Sequence, residues 1–126
     1  MPKSQKTITL YGIPNCDTVK KARTWLDGRG VTYRFHDFRA EGLDRKWLEA
    51  WVKALGWETV LNKASTTFKD LPEDKKLGLT EAKVIALMLA SPTMIKRPVL
   101  DLGWADPDGR YAVGFKPDAY KQIFTN

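Results

Sequence analysis

The sequence has one cysteine, Cys16, and one histidine, His36, in 126 residues. One cysteine cannot close an intrachain disulfide, which excludes a disulfide-stapled secreted scaffold. A structural zinc site takes four ligands, mostly Cys and His, and these two residues cannot supply it. A Cys-x-x-Cys redox pair is missing, because Asp17, Thr18 and Val19 follow Cys16. A Ser-His-Asp or Cys-His device has only His36 to use. Long apolar runs are also absent. The longest, residues 84–90, is far short of the ~20 residues that cross a bilayer. The first nine residues are mostly polar and lack the apolar centre of a signal peptide. A cytoplasmic protein with no membrane association is expected. Arginine and lysine outnumber the acidic residues to give a net charge of +6, yet no basic block of five or more occurs. Pairs such as Lys20-Lys21, Arg45-Lys46 and Lys75-Lys76 read as a solvated surface, so no nucleic acid is expected and the favoured partners are small anions or acidic groups.

What is present reads as an α/β fold. Residues 7–11 are β-branched and aromatic and predict a strand. The segment Gly12-Ile13-Pro14-Asn15 breaks it, and Asn15 is the expected N-cap of a helix over 16–28. Val19, Ala22, Trp25 and Leu26 fall on one face of that helix, and Gly28-Arg29-Gly30 stops it. Residues 31–38 form a second strand, with Val31, Tyr33 and Phe35 on one face. The helix between the strands is long enough for a parallel crossover.

The middle is helical. Trp47, Leu48, Trp51, Val52 and Leu55 form one stripe over 43–55, Gly56 interrupts it, and residues 57–61 add a turn. Residues 61–68 read as a polar connection. Thr80 is the expected cap of a further helix, whose 84–90 stretch is apolar all round and predicts burial on most sides. Ser91-Pro92 ends it. Strands over 99–102 and 111–115, joined by the turn Asp106-Pro107-Asp108-Gly109, form a hairpin before a last helix over 117–124 that starts on Pro117. One domain over 1–126 follows, with a core over about 6–40 and 80–126 and a helical insertion over about 41–79.

Cys16 opens the first helix. A helix N-terminus carries about half a positive charge and unpaired N–H groups, which favour a thiolate over a thiol. Cys16 is therefore the candidate nucleophile. Arg97-Pro98 precedes the third strand; arginine binds oxyanions and carboxylates through a charge-assisted fork, and a proline at a strand start can be cis. Lys63 beside Ser65-Thr66-Thr67 is a weaker candidate anion site. His36 reads as a structural histidine, Trp47 and Trp51 as packing, Asp106 and Asp108 as a turn rather than a calcium loop, and Gly28-x-Gly30 as a helix stop rather than a dinucleotide loop.

The stretch Tyr11-Gly12-Ile13-Pro14-Asn15-Cys16-Asp17-Thr18-Val19-Lys20-Lys21-Ala22 resembles the start of the ArsC/Spx/YffB family of arsenate reductase-like proteins. Leu61-Asn62-Lys63 with Ser65-Thr66-Thr67, then Arg97-Pro98-Val99-Leu100, then Val113-Gly114-Phe115-Lys116-Pro117 resemble its later segments, in order. The resemblance implies a thioredoxin-like fold with an inserted helical subdomain. It implies Cys16 as the catalytic nucleophile and Arg97 as the anion-binding arginine, with Pro98 as a cis-proline facing the cysteine. Asn15 and Lys116 join them as substrate-binding residues.

Arsenate reductases of this family use three arginines. Only Arg97 is matched; Asn62 and Lys116 stand where the others are expected, and lysine lacks the planar fork. The chain is most similar to the YffB-like branch, which implies a glutathione-dependent thiol reductase with no bound cofactor. Glutathione is then the co-substrate, glutaredoxin a further partner, a small oxyanion or a mixed disulfide the substrate, and a monomer the expected state. The alternative implied by the resemblance is an Spx-like regulator that binds RNA polymerase. With Val19 in the second cysteine position, a dithiol switch is impossible.

Overall fold

The computed structural model describes residues 8–103 and 110–124. In chain order the elements are β1 (Thr9–Gly12), α1 (Asp17–Gly28), β2 (Arg34–Asp37), α2 (Phe38–Glu41), α3 (Arg45–Leu55), α4 (Trp57–Val60), α5 (Thr66–Lys69), α6 (Glu73–Lys76), α7 (Glu81–Ala90), a 3₁₀ turn (Pro92–Met94), β3 (Val99–Asp101), β4 (Tyr111–Val113) and α8 (Pro117–Ile123). They divide into two compact units. Met1–Glu41 with Arg97–Asn126 makes one, and Gly42–Lys96 the other.

The first unit is a four-stranded mixed sheet in the order β2-β1-β3-β4. β1 and β2 are parallel, joined through α1, while β1–β3 and β3–β4 are antiparallel. The core forms where Leu10 lies opposite Leu100 on paired strands and meets Ala22, Leu26, Leu102 and Tyr120. Val31, Tyr33 and Phe35 pack against it, as their alternation predicts. β2 is shorter than the expected 31–38: it begins only at Arg34, and Phe38 leaves the strand and starts α2. Trp25 meets the edge of Tyr120 with ring centroids 5.6 Å apart, which fastens α1 to α8. A half-buried ion pair ties β3 to the start of β4: the Arg110 Nε and Nη2 groups donate to Asp101 at 2.8 and 3.3 Å. The turn expected at 106–109 lies outside the described residues.

The second unit is helical. Leu48, Trp51 and Val52 form the buried stripe of α3, with Asp44 capping it by accepting from the Lys46 N–H. Thr80 caps α7, as expected, by accepting from Lys83 N–H. Three expectations are corrected here. Residues 80–96, assigned from sequence to the core, cluster with the helical unit, because the buried side of α7 (Val84, Ile85, Met88) packs on α3. α7 is not buried on most sides: Ala82, Ala86 and Ala90 are exposed. The segment 61–68 is not a plain connection, since Ser65 caps the single turn α5 by accepting from the Phe68 N–H. Among the described residues, no helix is long and apolar enough to cross a membrane.

Candidate active site

Strand register gathers the candidate residues at one end of the sheet. Tyr11 pairs with Val99, and Val99 with Val113. One step further lie Gly12 at the end of β1, Pro98 before β3 and Gly114 after β4. The Gly114 N–H donates to the Pro98 carbonyl at 2.9 Å, so the ladder continues through this row. Beyond it, along the chain, lie the segment to Cys16, residue Arg97 and the Phe115-Lys116 step into α8.

Cys16 is held by what precedes and follows it. The Cys16 N–H donates to the Ile13 carbonyl at 3.4 Å, closing a turn with Pro14 and Asn15 at its centre. The Lys20 N–H donates to the Cys16 carbonyl at 2.9 Å, the first bond of α1. Cys16 itself is thus the N-cap, with extended backbone (φ −100°, ψ 126°) and no side-chain cap bond. This corrects the expectation for Asn15, which the turn consumes and leaves exposed. A half-buried sulfur stands where an ordinary cap oxygen would accept from the first-turn amides. Gly12 makes the close fit possible: a Cβ there would sit 2.8 Å from Cγ2 of the fully buried Val19, in the first turn of α1.

Arg97 is the unusual group. Its Nε and Nη1 are buried and make no hydrogen bond among the described residues. Burying charged donors without a partner is costly, so such a group marks a place where an anion fits. The Arg97-Pro98 peptide bond is cis, and Pro98 is buried. Lys116 is exposed and serves as the N-cap residue of α8, its carbonyl accepting from the Tyr120 N–H at 3.1 Å.

The other candidates resolve into structure. Lys63 lies over the Trp57 ring at 5.7 Å, the Ser65 hydroxyl is spent on its cap, and the Thr67 hydroxyl pairs with that of Thr93 at 2.7 Å. The carbonyl oxygen of Asn62 accepts from the Ala64 N–H. Trp51 is buried and Trp47 half-buried on α3. Gly30 takes a left-handed conformation just past α1, as a helix stop does. Asp106 and Asp108 lie outside the described residues.

One cluster was not anticipated. His36 is buried against Tyr11, with ring centroids 5.1 Å apart, and its Nδ1 lies 3.7 Å from Glu41 Oε1. Burial, with the Asp101 charge second, pushes the Tyr11 hydroxyl up to about 12. Glu41 is held below the usual carboxylate range by the Asp37 N–H and then by the Arg34 guanidinium. The alternation of Tyr11 and His36 on neighbouring strands was the only sequence signal for it.

The ArsC family model matches residues 11–123. The chain belongs to the ArsC family. It is similar to the solved structure of a YFFB protein, at 58% identity over 94% of this chain and 100% of that one, with a TM-score of 0.87. It is similar also to an arsenate reductase (ArsC) related protein from Brucella melitensis, at 48% identity over 97% and 98% of the two chains, with a TM-score of 0.73. A global transcriptional regulator Spx from Streptococcus mutans is 28% identical, over 88% of this chain and 78% of its own. The ArsC fold is α/β and thioredoxin-like, and the mixed sheet with Cys16 where β1 gives way to α1 is its framework in this chain.

Proposed function

We propose that this ArsC-family chain is a thiol-dependent reductase in which Cys16 is the nucleophile and an external thiol, glutathione, regenerates it. The observation that supports the reading is Arg97, whose Nε and Nη1 are buried and unbonded among the described residues, in the segment leading into β3 at the sheet end that also bears Cys16. Cys16 and Arg97 form a nucleophile beside an anion holder; Pro98 shapes the backbone between them, and Asn15 and the exposed Lys116 flank the opening as further substrate contacts. In the sulfur version of the reaction, the Cys16 thiolate attacks the glutathionyl sulfur of a mixed disulfide. The S–S bond breaks and the former partner leaves as a thiolate. A second glutathione thiolate then attacks the Cys16 adduct, releasing oxidised glutathione and restoring Cys16. Glutaredoxin can serve in place of that second glutathione. The net reaction of each cycle converts the mixed disulfide and one glutathione thiol into the substrate thiol and oxidised glutathione.

The test is a parallel assay of arsenate reduction and of glutathione mixed-disulfide reduction with wild type, Cys16→Ser and Arg97→Ala. Mass spectrometry after exposure to oxidised glutathione should show one adduct, on Cys16. A folded wild-type protein that forms no adduct and reduces neither substrate would overturn the reading. A second reading, a non-catalytic regulator that binds RNA polymerase, is favoured by the Spx relative. Retention of a polymerase partner from lysate, unchanged by Cys16→Ser, together with no turnover of either substrate, would establish it instead.

A further inference from the structure

A shallow groove of about 370 Å³ runs along the exposed side of α1, lined by Lys20, Lys21, Thr24, Trp25, Phe115 and Pro117. Its two walls both start at the candidate site. Cys16, Lys20 and Thr24 are spaced four apart, so they form one stripe along the helix. The opposite wall, Phe115 and Pro117, continues from Gly114, which is bonded to Pro98. The floor is apolar and fixed. Trp25 is held by the Tyr120 edge, by Phe124 at 5.9 Å, and by the Arg29 guanidinium 4.5 Å over its ring. The rim is cationic. Among the described residues, neither Lys20 nor Lys21 has an acidic partner.

We propose that this groove docks the polypeptide part of a disulfide substrate, an extended segment with an apolar side chain next to a carboxylate. The inference rests on the reductase reading above and narrows its substrate class to protein mixed disulfides. Length supports a polypeptide over a small thiol. From Cys16 to Trp25 the helix rises ~13 Å, at about 1.5 Å per residue. That equals about four extended residues, and neither arm of glutathione extends so far from its central cysteine. Composition supports it too: an apolar floor suits a side chain rather than an oxyanion, and a lysine rim suits an acidic neighbour. In the balanced step, Cys16 Sγ bonds to the glutathionyl sulfur, the bond from that sulfur to the docked peptide breaks, and the peptide leaves the groove as a thiolate. Glutathione then reduces the Cys16 adduct.

The test compares two glutathionylated peptides that differ only in flank, Leu-Glu against Leu-Lys, with the uncharged 2-hydroxyethyl disulfide as reference. Exposed charge contacts are individually modest, so the two lysines together should favour the acidic peptide about five-fold in kcat/KM. The Lys20→Glu/Lys21→Glu variant should invert that ratio. Both side chains are exposed, so the fold tolerates the change. Equal rates for the two peptides, or a preference that survives the charge reversal, would overturn the proposal while the reference disulfide still reports a working thiol. Failure with the reference disulfide as well would remove the reductase reading together with it.

Discussion

The contact between Gly12 and Val19 makes a strong quantitative claim. Gly12 lies in β1 without a left-handed φ, so alanine fits its backbone. On backbone grounds alone, Gly12→Ala should stabilise by about 0.4–1 kcal/mol, through the lower entropy of the unfolded chain. The new methyl would, however, come within 2.8 Å of Val19 Cγ2, and Val19 is fully buried. A β-branched side chain in a helix has essentially one rotamer and cannot swing aside. Overpacking of this kind costs about 1–3 kcal/mol, so the steric effect wins and the variant should be about 1–2 kcal/mol less stable.

Val19→Ala alone should cost about 2 kcal/mol, from about 0.8 per lost methyl plus a cavity term. In the double variant the methyl introduced by Gly12→Ala occupies space that Val19 vacated. The two costs should therefore fall short of their sum by about 1.5 kcal/mol. Urea unfolding midpoints at constant slope measure all four corners of the cycle. Alkylation of Cys16, three residues before Val19, should slow in Gly12→Ala and recover in the double variant. A Gly12→Ala protein as stable as wild type, or additive costs in the cycle, would refute the claim that this contact sets the start of α1.

Arg97→Met should leave stability unchanged or raise it by about 1 kcal/mol, because an unsatisfied buried charge is removed; oxyanion protection of Cys16 against alkylation should disappear, and a large loss of stability would show the guanidinium to be paired. Because the folded state raises the Tyr11 hydroxyl to about 12, it keeps a proton that the unfolded chain loses above pH 10, so stability holds below pH 10 and falls by about 2–3 kcal/mol as pH rises to 12. Tyr11→Phe should make the alkaline limb shallower by that share in urea titrations at fixed pH, the rest of the slope coming from Tyr111 and Tyr120, which burial also raises, and an unchanged limb would refute the assignment. Thr80→Ala should cost about 1 kcal/mol through loss of the α7 cap, measured by thermal unfolding.

The fold was legible wherever a periodic apolar signal met a strong stop. Val19, Ala22 and Leu26 on α1, and Leu10 opposite Leu100, are buried as their spacing predicts. The misreadings have separate causes. Asn15 is the better cap by residue type, but Pro14 commits the chain to a turn that ends at Cys16, so the helix starts one residue later. α6 buries no residue and so offers no apolar period to detect. In α7 uniform apolarity hides the face, because alanines at 82, 86 and 90 add hydropathy without needing burial. At the site, Cys16 and Arg97-Pro98 could be picked out by residue type, but two properties needed coordinates: the buried, unbonded state of Arg97 and the register that aligns Gly12, Pro98 and Gly114.

The contrast between Arg97 and Arg110 bears on which chemistry fits. Arg110 is matched inside the protein by Asp101, whose hydrogen bond holds the guanidinium above its ordinary range. Among the described residues Arg97 Nε and Nη1 have no such match, and on the reading proposed above its charge serves a ligand. Lys116, the other cation at this sheet end, is exposed. One buried fixed cation is poor provision for a multiply charged oxyanion, whose desolvation needs several. It is adequate for thiol–disulfide exchange, in which a single negative charge passes from the attacking sulfur to the leaving sulfur. On the reading proposed above, the single cation with buried nitrogens and the lysine-rimmed apolar groove fit together: the site is poorly equipped to hold an oxyanion and better equipped to hold a polypeptide. Placing a planar fork at the opening with Lys116→Arg should raise arsenate turnover without improving turnover of the acidic glutathionylated peptide, and a parallel gain in both would show that charge alone governs the site.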